Sequence, residues 1–123
     1  MKIVTWNING VKARIEVLKA WLRESDPDIV CLQEIKSVDE GFPREEIDAL
    51  GYHVETNGQK GFNGVAILSK TSPEEVTRGL PGEDEDDHAR FIEAVFSTEK
   101  GMLRVVSLYL PNGNPIDTEK FPY

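Results

Sequence analysis

The sequence predicts an α/β fold, a mixed β-sheet with flanking helices. A helical pattern lies between two short apolar runs, Lys2–Trp6 and Asp28–Leu32, as in a strand–helix–strand crossover. Several further short apolar or alternating runs follow, separated by Gly, Pro, Asn and Asp. We therefore expect two parallel strands first and antiparallel neighbours after them.

The first three elements follow from their residue patterns. Lys2–Trp6 alternates and is rich in β-branched residues, which indicates a strand. A helix is predicted next from apolar residues at helical spacing, and Ser25-Asp26-Pro27 ends it; these residues are Val11, Ile15, Leu18 and Leu22. Because a crossover of this length joins parallel strands, the residues that follow the two strands should emerge at one edge of the sheet.

The remaining elements are shorter. Pro43–Leu50 is predicted as a helix that Gly51 closes. Strands are then predicted at Tyr52–Glu55, Gly64–Ser69, Glu75–Arg78, Ala89–Ser97 and Leu103–Leu108. The sequence contains no repeat, low-complexity tract or linker, so residues 1–123 are expected to form one unit.

The charge of the chain does not decide whether it binds nucleic acid. The net charge is −8, but residues 1–36 carry six Lys or Arg against five Asp or Glu. Residues 37–123 carry eight against seventeen, and a solvated loop at 83–87 supplies much of the excess. A local basic strip could therefore still contact phosphates.

The compartment is predicted from Cys31 and from the N-terminus. Cys31 is the one cysteine and lies in an apolar run, so we expect a buried thiol and a reducing, cytoplasmic environment. Met1-Lys2-Ile3-Val4 leads directly into a strand, which argues against a signal peptide. No apolar run reaches membrane-spanning length, so no membrane association is expected.

Three polar clusters follow predicted strands. They are Thr5-Trp6-Asn7-Ile8-Asn9-Gly10, Leu32-Gln33-Glu34 and Tyr109-Leu110-Pro111-Asn112-Gly113. Strand ends are where α/β proteins build their sites, and one Glu among amides and a Tyr suits a hard metal ion beside a phosphate. His53 and His88 have no Ser, Cys or Asp partner at a spacing that would indicate a nucleophilic triad, so water is the expected nucleophile. Half of a metal-dependent phosphodiesterase site is the resulting interpretation.

Each candidate has a simpler alternative role. Glu34 is either a metal ligand or an ordinary carboxylate in solvent, and Asn7 orients a phosphate or occupies a turn. Lys12 and Arg14, placed at the start of the predicted helix, are either phosphate contacts or solubilising charges. Tyr109 is either a site residue or a core residue.

Four motifs in this order make the chain resemble the exonuclease III family of apurinic/apyrimidinic (AP) endonucleases. The motifs are residues 5–10, Gln33-Glu34-Ile35-Lys36, residues 58–69 and residues 108–113. The resemblance covers the N-terminal half of such an enzyme. It implies about half of a four-layer α/β sandwich in which this chain supplies about one of the two sheets. It further implies hydrolysis of DNA at abasic sites, with 3′→5′ exonuclease and 3′-phosphatase activities.

The resemblance also implies roles for the residues that follow the first two strands. Glu34 matches a metal ligand, and Asn7 matches a residue of the metal and phosphate site. Asn9 stands where some relatives carry Asp, and it is placed with Lys12 and Arg14 among the DNA contacts. The implied cofactor is Mg²⁺, for which Mn²⁺ substitutes.

Later residues match further contacts of the family. Tyr109 and Asn112 match residues that hold the scissile phosphate, and Arg90 matches an Arg that supports the DNA phosphates. Gly61 belongs to a turn whose backbone is expected to lie along the DNA. The implied partner is double-stranded DNA with abasic sites or 3′ ends, and the complete enzyme is expected to be monomeric.

Two alternatives remain open from the sequence. One is another branch of the endonuclease/exonuclease/phosphatase superfamily, such as a phosphoinositide phosphatase or a nonspecific DNase. The other is a non-catalytic fragment, since the family's Asp-x-Asn segment is absent here. Its terminal Asp-His pair has no match except Asp87-His88, in an acidic loop.

Overall fold

A computed structural model describes residues 1–58, 64–78 and 91–108. The strands are β1 (Ile3–Asn7), β2 (Ile29–Gln33), β3 (His53–Asn57), β4 (Val65–Ser69), β5 (Glu75–Arg78), β6 (Phe91–Thr98) and β7 (Gly101–Leu108). The helices are α1 (Ile15–Ser25), a 3-10 turn at Asp39–Gly41, and α2 (Arg44–Asp48). Each described element agrees with a predicted one to within a few residues, apart from the 3-10 turn, which was not predicted.

The first four strands form one sheet in the order β1-β2-β4-β3. β1 pairs with β2 in parallel, as the crossover predicted, and β4 is antiparallel to both β2 and β3. β2 and β4 are the two central strands. Both are apolar along nearly their whole length and buried on both faces, the pattern expected for interior strands.

The two helices cover one face of this four-stranded sheet. Leu18 and Leu22 of α1 and Ile47 of α2 are buried against Val30 and Leu32 of β2. Asp26 ends α1 in the left-handed conformation, and its N–H bonds to the carbonyl of Leu22 at 3.0 Å. That hydrogen bond closes the last turn and directs the chain into β2.

A second, three-stranded sheet in the order β5-β6-β7 packs on the other face. Its apolar contact with the four-stranded sheet buries Ile29, Cys31, Val65 and Ile67 against Ile92, Ala94, Phe96 and Val105. The expectation that the chain supplies about one sheet is therefore wrong. Strands from both sheets are present, because the turn residues that separated the predicted strands gave no sign of which strands share hydrogen bonds.

The outer face of the three-stranded sheet carries exposed apolar side chains. Met102, Val106 and Leu108 are exposed by 63%, 40% and 42% and alternate along β7 with the inward-facing Val105 and Ser107. Neither described helix is long and apolar enough to cross a membrane.

Candidate active site

The candidate site lies at the edge of the four-stranded sheet where β1 and β2 end. Asn7 pairs in register with Gln33, and Glu34 is the next residue. The predicted placement of Asn7 and Glu34 at one edge is thus confirmed. Asn7 is exposed and Glu34 is half-buried, so both are accessible from solvent.

The two loops continue the pairing of the strands beyond their ends. The N–H groups of Ile8, Gly10 and Val11 donate to the carbonyls of Gln33, Glu34 and Ile35 at 3.0, 2.8 and 2.9 Å. The side chains of Ile8, Val11 and Ile35 are fully buried and anchor both loops in the core below. Backbone hydrogen bonds and apolar anchors together hold Asn7 and Glu34 on a fixed frame.

Three residues in these two loops adopt a backbone conformation that costs free energy. Asn9, Glu34 and Lys36 have φ of 51°, 53° and 53°, in the left-handed region. This conformation costs roughly 1–2 kcal/mol for a residue with a Cβ, and such residues cluster at functional sites. Hydrogen bonds stabilise Glu34 in this conformation, because its own carbonyl accepts from the N–H of Gly10 and the carbonyls of the residues before and after it accept from Ile8 and Val11.

Gly64 supports the Glu34 loop from the other side. Its carbonyl accepts a hydrogen bond from the N–H of Ile35 at 3.1 Å, and its φ is +92°. A Cβ at this position would lie 2.6 Å from Cγ1 of Ile35. The backbone therefore approaches the residue after Glu34 more closely than any side chain would allow.

Lys12 and Arg14 lie in the turn that leads into α1, close to the predicted start of the helix, and Arg14 is its N-cap residue. The N–H of Arg14 bonds to the carbonyl of Val11 in a tight turn, and the carbonyl of Arg14 accepts the first hydrogen bond of α1, from the N–H of Leu18 at 2.9 Å. Arg14 donates from Nη1 to the carbonyl of Asn9 at 2.7 Å and so stabilises the strained loop. Lys12 is exposed, and its Nζ lies beside Gly41.

Four predicted site residues, Gly61, Arg90, Tyr109 and Asn112, lie outside the described residues. In sequence, Arg90 immediately precedes β6 and Tyr109 immediately follows β7. Among the residues that the structure describes, no three His, Cys, Asp or Glu side chains gather as a metal cluster.

Two polar side chains beneath this edge, Gln33 and Ser107, hydrogen bond to each other across the two sheets. The sequence analysis placed Gln33 in a polar cluster without assigning it a role, and it missed Ser107. A serine within the apolar run at 105–108 was the available signal. Burial also raises the pKa of the Cys31 thiol to about 11. Such a group is inert at neutral pH, which agrees with a structural role for Cys31.

Residues 4–121 match the endonuclease/exonuclease/phosphatase family. The chain belongs to this family. It is 46% identical over 123 residues to the exodeoxyribonuclease III of Haemophilus influenzae. That alignment covers 99% of the chain and 46% of the Haemophilus protein.

Two solved structures have the same fold. A Neisseria 3′ phosphatase bound to a product DNA hairpin has a TM-score of 0.86 and 39% identity to the chain. An AP endonuclease from Archaeoglobus fulgidus has a TM-score of 0.83 and 41% identity. Each comparison covers all of this chain and 46% of the other, so the chain spans about half the length of these family members.

Proposed function

We propose that this chain supplies the metal- and phosphate-binding half of a DNA repair nuclease site. The reaction is hydrolysis of DNA phosphodiesters on the 5′ side of abasic sites, with removal of nucleotides and phosphates from 3′ ends. One observation carries this proposal: Asn7 and Glu34 end adjacent parallel strands on a hydrogen-bonded loop frame. The names of the relatives, an exodeoxyribonuclease III, a 3′ phosphatase and an AP endonuclease, favour the repair branch of the family.

The side chains at the edge fit Mg²⁺ by their chemistry. Glu34 offers carboxylate oxygens and Asn7 an amide oxygen, and both are hard donors. Mg²⁺ commonly binds through one or two carboxylates together with water and substrate phosphate, so a single Glu is sufficient. When bound, Mg²⁺ would polarise a phosphoryl oxygen and stabilise the leaving 3′-oxygen.

The residues of this chain would have different roles around the phosphate. Glu34 would hold the ion, and Asn7 would orient the phosphate through its amide. Lys12 would neutralise a neighbouring phosphate from its exposed position in the turn before α1. By resemblance, Tyr109 and Asn112 would contact the scissile phosphate, and Arg90 and Gly61 the DNA strand.

The water-activating group is not among these residues. The resemblance implies that it lies in the half of the family's domain that this chain does not span. We propose that activity requires the rest of the family's domain, that the completed protein acts as a monomer on duplex DNA, and that it works in the cytoplasm.

The test uses a chimera in which residues 1–123 are joined to the part of the Haemophilus influenzae exodeoxyribonuclease III that they do not match. We call it the completed domain. Glu34→Gln should lower kcat on an abasic-site duplex by roughly 10²–10³-fold, because the variant loses the carboxylate that would hold the ion against the reacting phosphate. Glu24→Gln, which removes the same charge from the exposed surface of α1, should have no effect.

Two results would contradict the proposal. If Glu34→Gln cleaves with the parent's magnesium dependence, Glu34 is a spectator. If the completed domain hydrolyses phosphoinositides but not abasic-site DNA, another branch of the family describes it better.

A further inference from the structure

A side-chain hydrogen-bond network joins three strands beneath the candidate site. Gln33 donates from Nε2 to Oγ1 of Thr5 at 2.9 Å and to Oγ of Ser107 at 3.1 Å. Ser107 is fully buried and donates in turn to the carbonyl of Leu32 at 2.9 Å. Its hydroxyl therefore donates to β2 and accepts from Gln33, which satisfies both capacities of a group that has no access to water.

The network lies directly below the residues proposed to act. Thr5 precedes Asn7 by two residues on β1, and side chains two apart on a strand share a face. Gln33 immediately precedes Glu34, and Ser107 is the penultimate residue of β7. The side-chain amide of Gln33 thus fixes the relative positions of β1, β2 and β7. It does so close to the ends of β1 and β2, where Asn7 and Glu34 lie.

The rest of the sheet-to-sheet contact is made mainly of apolar side chains, which stabilise without specifying a single geometry as hydrogen bonds do. Arg78 of β5 also makes polar contacts between the sheets, donating from Nε to the carbonyl of Thr56 at 2.6 Å and pairing with Glu55, but both of these partners lie on β3. Asn57 makes a second polar tie in the same row of the four-stranded sheet, donating to the carbonyl of Phe91 at 2.8 Å. That tie is on β3, at the opposite side of the sheet from Asn7.

We infer that Gln33 is a positioning residue for the candidate site. Its amide holds the ends of β1 and β2 at the separation that lets Asn7 and Glu34 act on one phosphate. This inference rests on the proposed function. A residue that only stabilises the packing of the two sheets would have a different signature, and Asn57 provides the comparison.

The first test needs no activity and uses the completed domain. Hydrogen–deuterium exchange is followed at the amides of Gly10 and Val11, which bond to the Glu34 loop, and at those of β4 as a reference for overall opening. Gln33→Met, which keeps the length but removes the donor, should speed exchange at Gly10 and Val11 about tenfold relative to β4. Asn57→Leu should leave that ratio unchanged. Equal acceleration at every amide would overturn the inference.

The second test separates positioning from catalysis in the completed domain. Gln33→Met should lower kcat about tenfold and raise the magnesium concentration for half-maximal activity, with KM for DNA nearly unchanged. Thr5→Val, an exposed and near-isosteric change, should give a smaller effect of the same kind. Asn57→Leu should lower Tm without changing kcat.

The outcomes distinguish the two proposals. An inactive parent, or a fully active Glu34→Gln variant, contradicts the proposed function, and the exchange ratio then decides the role of Gln33. If the parent is active and Gln33→Met changes neither the exchange ratio nor kcat, only the inference about Gln33 is contradicted.

Discussion

The substitution Gly64→Ala tests the frame that holds the Glu34 loop. The new Cβ would lie 2.6 Å from Cγ1 and 3.3 Å from Cδ1 of Ile35, a fully buried side chain. Either Ile35 moves, together with Glu34 before it, or β4 moves away from the loop. The substitution therefore perturbs the candidate site from outside it.

The expected cost has two parts. Alanine at a φ of +92° costs roughly 1–2 kcal/mol of backbone strain. Forcing a methyl group into a packed core costs roughly 1–3 kcal/mol more. The free energy of unfolding should fall by about 2–5 kcal/mol, a large share of the roughly 5–15 kcal/mol typical of a domain.

Gly51 provides a matched control. Its φ is +94°, but an added Cβ would meet nothing within 4 Å. Gly51→Ala therefore carries the backbone strain alone, partly offset by the lower entropy of the unfolded chain, and should cost about 1 kcal/mol.

Urea unfolding of the completed domain, followed by circular dichroism, gives both values. If the two variants lose the same stability to within about 0.5 kcal/mol, the close approach to Ile35 is not felt and this reasoning is refuted. The assay of abasic-site cleavage should rank them in the same order, since only Gly64→Ala displaces Glu34.

Three further predictions concern charge, pH and completeness. Lys12→Ala should lower affinity of the completed domain for any duplex and reduce the log–log salt slope by about one, whereas Lys100→Ala, in the β6–β7 turn, should not. An unchanged slope would remove Lys12 from the DNA contacts. Because burial raises the pKa of Cys31 from 9.0 to about 11, its contribution to stability is complete below pH 9 and is lost as the pH rises to 11. In urea titrations between pH 9 and 11, the free energy of unfolding of the Cys31→Ala variant should fall less steeply with pH than that of the parent. Equal slopes for the two proteins would contradict this prediction. The 123-residue chain alone should self-associate through the exposed apolar face of β7 and be inactive on abasic-site DNA. If sedimentation shows a monomer and that monomer cleaves abasic-site DNA, the site is complete without further residues.

The sequence predicted the elements well but not their assembly. Continuous apolar runs marked β2 and β4, and the same runs could have indicated that both are central strands. No residue pattern within β5, β6 or β7 indicated that these strands form a separate sheet. Strand pairing depends on contacts between distant residues, and alternating patterns look alike in either sheet.

The candidate site was predicted through its side chains but not through its backbone. Glu34 and Asn7 stood out because polar groups followed apolar strands. The left-handed conformations of Asn9 and Glu34 depend on hydrogen bonds between two loops, so propensities within either loop could not reveal them. The role of Arg14 in holding Asn9 was hidden for the same reason.

The division of the strands between the two sheets has a consequence for how the protein forms. All strands of the four-stranded sheet lie within residues 3–69, and those of the other sheet within 75–108. During synthesis the first sheet can therefore close, with its helices, before the second has left the ribosome. The hydrogen bond between Gln33 and Ser107 spans 74 residues and forms only when β7 docks. We expect the candidate site to become ordered late, as the last event in the assembly of this half of the fold.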